Sequence, residues 1–142
     1  MQTVVHVTHE GHAHENSKRV LIDADPAELA EFTSVAGLPA RAVATPWLTR
    51  YLRQEGTLQA NTRADPRRCS QRMDCLTQCG LRDGIAKFGQ FCIDLKLAAA
   101  MRGGVSRGLF FRGASKLPFG NAMRSVRELM DYLLHGEMPA AA

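Results

Sequence analysis

The sequence lacks any run approaching the ~18 apolar residues that cross a bilayer, and its first residues, Met1-Gln2-Thr3-Val4-Val5-His6, lack the basic stretch and apolar segment of a secretory leader. Both absences predict a soluble, cytoplasmic chain without a membrane partner. There is no internal repeat, so the chain reads as one non-repeating unit. At 142 residues it falls short of the roughly 250 of an (α/β)8 barrel and further short of a two-domain dehydrogenase, which excludes a complete large catalytic scaffold. Neither sign of charge dominates: eighteen Lys and Arg against fourteen Asp and Glu leave a net charge of +4. That is compatible with phosphate-bearing partners and far from a histone-like excess. What remains, 45% hydrophobic residues in a chain of ordinary domain size, suffices to bury one core.

The expected fold class is mainly α with a few short strands. Residues 1–24 read as a weakly structured start with two short strands, at the β-branched Thr3-Val4-Val5-His6-Val7 and at Arg19-Val20-Leu21-Ile22-Asp23. Residues 25–60 read as a two-helix segment. Asp25-Pro26-Ala27-Glu28 carries a capping Asp, a Pro at the first helical position and a Glu three residues after the cap, followed by Leu29, Phe32 and Val35, with Gly37 as the stop. Thr45-Pro46 repeats the signal before Trp47, Leu48, Tyr51 and Leu52, with Gly56 as the expected end. Residues 57–68 show no period and read as a connector.

Residues 61–142 form the cysteine-containing helical segment. A helix is expected from Gln90 to Arg102, stopping at Gly103-Gly104. The aromatic run Gly108-Leu109-Phe110-Phe111-Arg112-Gly113 suits one strand or an extended arm. A last amphipathic helix is expected to begin near Asn121, with Met123, Val126, Met130, Leu133 and Leu134 on its apolar face and Gly136 closing it, before an Ala140 to Ala142 end that frays.

Three features invite chemistry. His9-Glu10-Gly11-His12-Ala13-His14-Glu15 gathers metal-type ligands, yet the zincin pattern needs a His where Ala13 stands, and the polar flanks suit a solvated loop. Cys69, Cys75, Cys79 and Cys92, spaced C-x5-C-x3-C-x12-C, are candidate ligands for zinc or an iron–sulfur cluster. The first interval lies outside zinc-pair limits and neither common ferredoxin pattern is met, so buried inert thiols remain open, and disulfides are disfavoured in a reducing compartment. Between Asp94 and Glu128 there is no acidic residue, while Lys96, Arg102, Arg107, Arg112, Lys116, Arg124 and Arg127 alternate with glycines and phenylalanines. Such a stretch suits a phosphate-bearing cofactor or a nucleic-acid backbone, or is a solvated basic face.

The stretches Asp74-Cys75-Leu76-Thr77-Gln78-Cys79-Gly80-Leu81-Arg82-Asp83-Gly84, Gly89-Gln90-Phe91-Cys92-Ile93-Asp94, Arg107-Gly108-Leu109-Phe110-Phe111-Arg112-Gly113 and Leu117-Pro118-Phe119-Gly120 occur in the order they take in a known family. With Gly37-Leu38-Pro39-Ala40-Arg41-Ala42 and Thr45-Pro46-Trp47-Leu48, the chain from about Val20 to Gly136 resembles the C-terminal part of a bacterial branch of the nitronate monooxygenases, formerly 2-nitropropane dioxygenases.

The resemblance implies part of an FMN-dependent (α/β)8 barrel, the barrel itself incomplete, whose parent reaction oxidises an alkyl nitronate with O2 to a carbonyl compound and nitrite. It assigns Arg112, Gly113 and Gly120 as the residues facing flavin or substrate and the four cysteines as a structural or redox site. The barrel's first strands, its flavin-phosphate loops and a catalytic His motif are missing, and His6, His9, His12 and His14 match none, so no catalytic residue is carried over. The cysteines also resemble, more loosely, the cluster segment of iron–sulfur flavoenzyme barrels such as dienoyl reductases; the last two intervals agree, and Arg72 stands where the first would need a Cys. A chain of this kind is expected to be inactive alone and to partner a flavin-barrel subunit or a missing N-terminal portion. The alternative is a small metal- or iron–sulfur-stabilised module that contacts nucleic acid or docks on a separate barrel, nucleic acid being the weaker partner.

Overall fold

A computed structural model describes residues 2–70, 72 and 75–139. Met1, Asp74 of the first resemblance motif and the Ala140 to Ala142 end lie outside the described residues. The elements in order are α1 (Gln2–His6), α2 (Glu15–Asp23), β1 (Leu29–Thr33), β2 (Pro39–Val43), α3 (Pro46–Ala60), α4 (Ile93–Met101) and α5 (Val126–His135), with single 3-10 turns at Pro26–Glu28 and Pro66–Arg68.

Both strands expected before residue 24 are helical. Thr3 to His6 lie in α1, since β-branched residues cost a helix only a few tenths of a kcal/mol and burial of Val7 overrides that preference. Arg19 to Asp23 form the second half of α2, which begins one turn earlier at the His14 cap; Nδ1 of His14 accepts from the Asn16 N–H at 3.1 Å. Lys18, Leu21 and Ile22 then fall on one buried face. The Lys18 ammonium is satisfied there by donating to the His9 carbonyl at 3.1 Å and to Glu15 at 3.0 Å.

The helix expected after Asp25-Pro26 is a strand. Asp25 does cap, accepting from the Ala27 N–H at 2.8 Å, but the turn stops at Glu28 and the chain extends into β1. β1 and β2 form an antiparallel hairpin in which Phe32 faces Ala40 and Ala30 faces Ala42. These four share the apolar side, while Glu31 and Arg41 pair across the other. Gly37, expected to stop a helix, instead makes the hairpin turn with φ +80°. The run after Gly108 is the extended arm: Phe111 bridges Ala42, and the Val43 and Arg112 N–H groups bond the Phe110 and Arg41 carbonyls at 3.0 and 3.2 Å.

Thr45 and Pro46 start α3 as the sequence predicts, with Thr45 Oγ1 accepting from Leu48 N–H. The helix then runs through Gly56 to Ala60, because one exposed glycine costs only about 1 kcal/mol. α4 is shorter at its start than expected, since Gln90 and Phe91 are drawn into the core before the helix begins. α5 begins later, at Val126, where Ser125 and Glu128 build a capping box; it ends at left-handed Gly136.

The core has two parts. Phe32, Ala42, Leu48, Tyr51, Phe91 and Leu109 pack the hairpin against α3, with the rings of Trp47 and Tyr51 edge-on to Phe91 at 5.2 and 5.0 Å. Val7, Leu21, Ile22, Ala100 and Phe110 join α2 to α4. Among the described residues no helix is long and apolar enough to cross a membrane.

Candidate metal centre

From Asn61 to Cys92 the described chain contains no strand and no helix beyond the turn at Pro66–Arg68. Phe91 is its only buried apolar side chain among the described residues; otherwise glycines 80 and 89 and Gln90 are buried there. Polar groups hold it instead. The Gln90 side-chain amide donates to the Ile85 and Phe88 carbonyls at 3.0 and 2.9 Å, and its oxygen accepts from the Thr62 hydroxyl at 2.5 Å. Thr62 in turn accepts from Arg68, next to Cys69, at 3.3 Å. The Gln90 N–H donates to the Tyr51 hydroxyl at 2.9 Å, and that hydroxyl donates to Glu55 at 3.1 Å. Burial, and secondarily Glu55, push Tyr51 up to about 12 against the opposing pull of the Gln90 N–H.

The segment docks on the hairpin through Gly80 N–H to the Val35 carbonyl at 2.8 Å and Gly89 N–H to Ser34 at 2.9 Å. Gly80 is required by proximity: a Cβ there would lie 2.3 Å from the Gly89 carbonyl oxygen.

Cys69, Cys79 and Cys92 each sit at a structural corner. Cys69 ends the 3-10 turn, its N–H bonded to the Pro66 carbonyl at 3.1 Å. Cys79 opens a turn closed twice by Asp83, whose carboxylate accepts from the Cys79 N–H at 2.8 Å while its own N–H reaches the Cys79 carbonyl at 2.9 Å. Arg82 beside it, followed by the Cys79 N–H, holds the Asp83 carboxyl below the usual range. Within that turn the Arg82 N–H points at Cys79 Sγ at 3.4 Å. Cys92 stands at the N-cap of α4, and its sulfur accepts from the Ser70 hydroxyl at 3.1 Å. This bond ties the residue after Cys69 to Cys92.

Cys75 is exposed, yet its thiol is pushed up, first by partial withdrawal from water and then by Cys69, Cys79 and Cys92 together. All three other sulfurs therefore lie within electrostatic range of Cys75. Cys75, Cys79 and Cys92 are in no disulfide. The fold brings the four into one neighbourhood without closing them: among the described residues no three His, Cys, Asp or Glu side chains stand as a ready metal cage. Between Cys69 and Cys75, Arg72 adopts φ 51°, the one left-handed non-glycine residue among those described. As a donor set, four thiols with an N–H and an O–H aimed at two of them suit zinc or an iron–sulfur cluster.

The residues assigned to flavin fare differently. Arg112 is 4% exposed, and its guanidinium donates to the Leu21 and Ser115 carbonyls at 3.0 and 2.8 Å and to the Gly113 carbonyl. Burial holds it below its usual pKa. Its Nε and one terminal nitrogen are spent fixing the chain. Gly113 and Gly120 are exposed and a Cβ on either would meet open space, so neither forms a close-fitting phosphate cradle. Arg112 is thus an internal residue, which its place in a Gly-rich run does not reveal, because an internal and a ligand-facing Arg look alike there.

The basic stretch is similarly divided. Arg124 pairs with Glu128 at 3.3 Å. Lys96 lies 4.4 Å over the Trp47 ring, held below its usual pKa by burial and then by Arg107 and Arg50. Compared with known proteins, the chain matches no protein-family model, no curated protein and no solved structure.

Proposed function

We propose that the chain is the cysteine-bearing C-terminal portion of a nitronate monooxygenase-like flavoprotein, in which Cys69, Cys75, Cys79 and Cys92 hold a structural zinc ion or iron–sulfur cluster. The observation that carries the reading is the disproportion in residues 61–92: the Cys69, Cys79 and Cys92 sulfurs within electrostatic reach of Cys75 and, among the described residues, a single buried apolar side chain to hold the segment together. A stretch of this length without regular structure has too small a core to order itself, and a thiolate-bound metal supplies the missing cross-link. The ordered motifs around the cysteines support the family assignment. The exposed apolar residues Met130, Leu133 and Leu134 of α5 support docking on the remainder of such a protein.

In this reading the chain's own residues do structural work. Ser70 and the Arg82 N–H orient the Cys92 and Cys79 sulfurs, Asp83 fixes the Cys79 turn, and Gln90 couples the segment to Tyr51 in the core. Flavin chemistry belongs to the rest of the protein, and the chain alone turns over no substrate.

Anaerobic purification followed by metal and sulfide analysis and a visible spectrum tests the site. One zinc per chain, or iron with inorganic sulfide and a visible charge-transfer band, is expected, and its loss in Cys79→Ser. A chain purified free of metal and equally folded would overturn it. Separately, FMN retained at one per chain with nitrite released from an alkyl nitronate would refute the view that the flavin site lies elsewhere.

A further inference from the structure

The histidine cluster of residues 6–14 is not absorbed by that function, and the fold gives it a place. Residues 5–14, α4 and the Phe110–Phe111 arm enclose a cavity of about 700 Å3, within the roughly 300–1,000 Å3 of small-molecule sites. Its walls are apolar: Leu21, Leu97, Ala100, Leu109 and Phe110 among them. Its polar edge is carried by His6, His12 and His14, all exposed.

The other polar groups on the lining are already committed. The Thr8 hydroxyl donates to the Val5 carbonyl at 2.9 Å and the Ser17 hydroxyl to the Ala100 carbonyl at 2.6 Å. Glu10, the lining carboxylate, accepts from the Val126 N–H at 2.9 Å. Because Nδ1 of His14 accepts from Asn16, the His14 proton sits on Nε2, which is left as a donor. The edge therefore offers imidazole groups around an apolar interior, with its one carboxylate drawn toward the start of α5 through one oxygen. At His14 the accepting nitrogen is already taken, so what that ring still offers is a donor, which suits an acceptor headgroup such as a carboxylate oxygen.

We infer that this cavity binds an amphipathic small molecule, an apolar chain or ring bearing a carboxylate, with the body against Leu97, Leu109 and Phe110 and the headgroup at His6, His12 and His14. The inference is independent of the cysteine site. A metal at the histidines is not favoured, since no three ligating side chains stand together among the described residues.

Decanoate and decanol are the probes, titrated into the full chain and followed by methyl NMR. Decanoate is expected to bind saturably, one per chain, shifting the methyls of Leu97, Leu109 and Val126, and at least about fivefold more tightly than decanol. Ala13→Phe, which places a ring at the mouth outside both core clusters, should weaken decanoate at least tenfold. His6→Leu with His12→Leu, both at exposed positions, should abolish the preference for decanoate while leaving decanol binding in place. Absence of saturable binding, shifts clustered elsewhere, or equal affinity for the two probes in the unaltered chain would each overturn the assignment.

Discussion

Residues 29–60 and residues 61–92 are of equal length and adjacent in sequence, yet they are held by different means. The first stretch is a hairpin and a long helix that bury Phe32, Val35, Ala42, Leu48 and Tyr51, and its order follows from apolar area removed from water. The second buries one large apolar side chain among its described residues and relies on turns and a Gln90-centred hydrogen-bond relay. Hydrogen bonds contribute about 1 kcal/mol each once exchange with water is counted, so such a relay directs the chain more than it secures it. The contrast teaches that the cysteine segment takes its shape from the hairpin and, under the proposed metal site, its permanence from what the sulfurs would bind.

Removing metal with a chelator should break the symmetry most completely. Structural zinc supplies on the order of 10 kcal/mol in small thiolate sites. Amide exchange at Gly80 and Gly89 should become fast on metal removal, while α3 amides stay protected; equal loss in both halves would erase the distinction. Next is Leu48→Ala at a fully buried position, expected to cost about 2–5 kcal/mol by urea unfolding and to melt both segments together, since the second leans on the first.

Tyr51 tests the joint between them. Its folded pKa of about 12 lies above the ordinary 10.0, so the neutral phenol is the stabilised form. Its contribution is complete below pH 10 and is lost as pH rises toward 12. Tyr51→Phe should abolish that alkaline decline and cost about 1 kcal/mol at neutral pH, read from denaturation midpoints across pH. The smallest effect is expected at Gly56 in α3, where a Cβ meets nothing: Gly56→Ala should raise stability by about 0.5–1 kcal/mol without altering the cysteine segment.

Signals tied to a local bond were legible in the sequence. Asp25-Pro26 and Thr45-Pro46 both cap turns, and Gly136 closes α5, because a capping oxygen or a left-handed glycine acts within four residues. Signals resting on distant partners were not. Leu29, Phe32 and Val35 satisfy a helical spacing, and the alternation that puts Ala30, Phe32, Ala40 and Ala42 on one side is faint because three of the four are alanines. The first residues of α1 are β-branched, and only the burial of Val7 against α2 and α4 explains their helix. At the site, the clustering of four cysteines could be read; the sulfur-directed bonds of Ser70 and Arg82 depend on turns that spacing alone does not specify. Burial of Arg112 needed the carbonyl of Leu21, ninety-one positions away.

The clasp between the two ends of the fold has a practical consequence. Thr8 bridges Arg124, the His9 N–H bonds the Arg124 carbonyl at 3.0 Å, and Glu10 holds the first N–H of α5. Residues 113–116 between the arm and α5 are exposed and include Lys116. A tryptic nick after Lys116 would thus leave two peptides still zipped along residues 8–10 and 124–126. The molecule lends itself to split-protein complementation, with the shorter peptide as an exchangeable, labelled half.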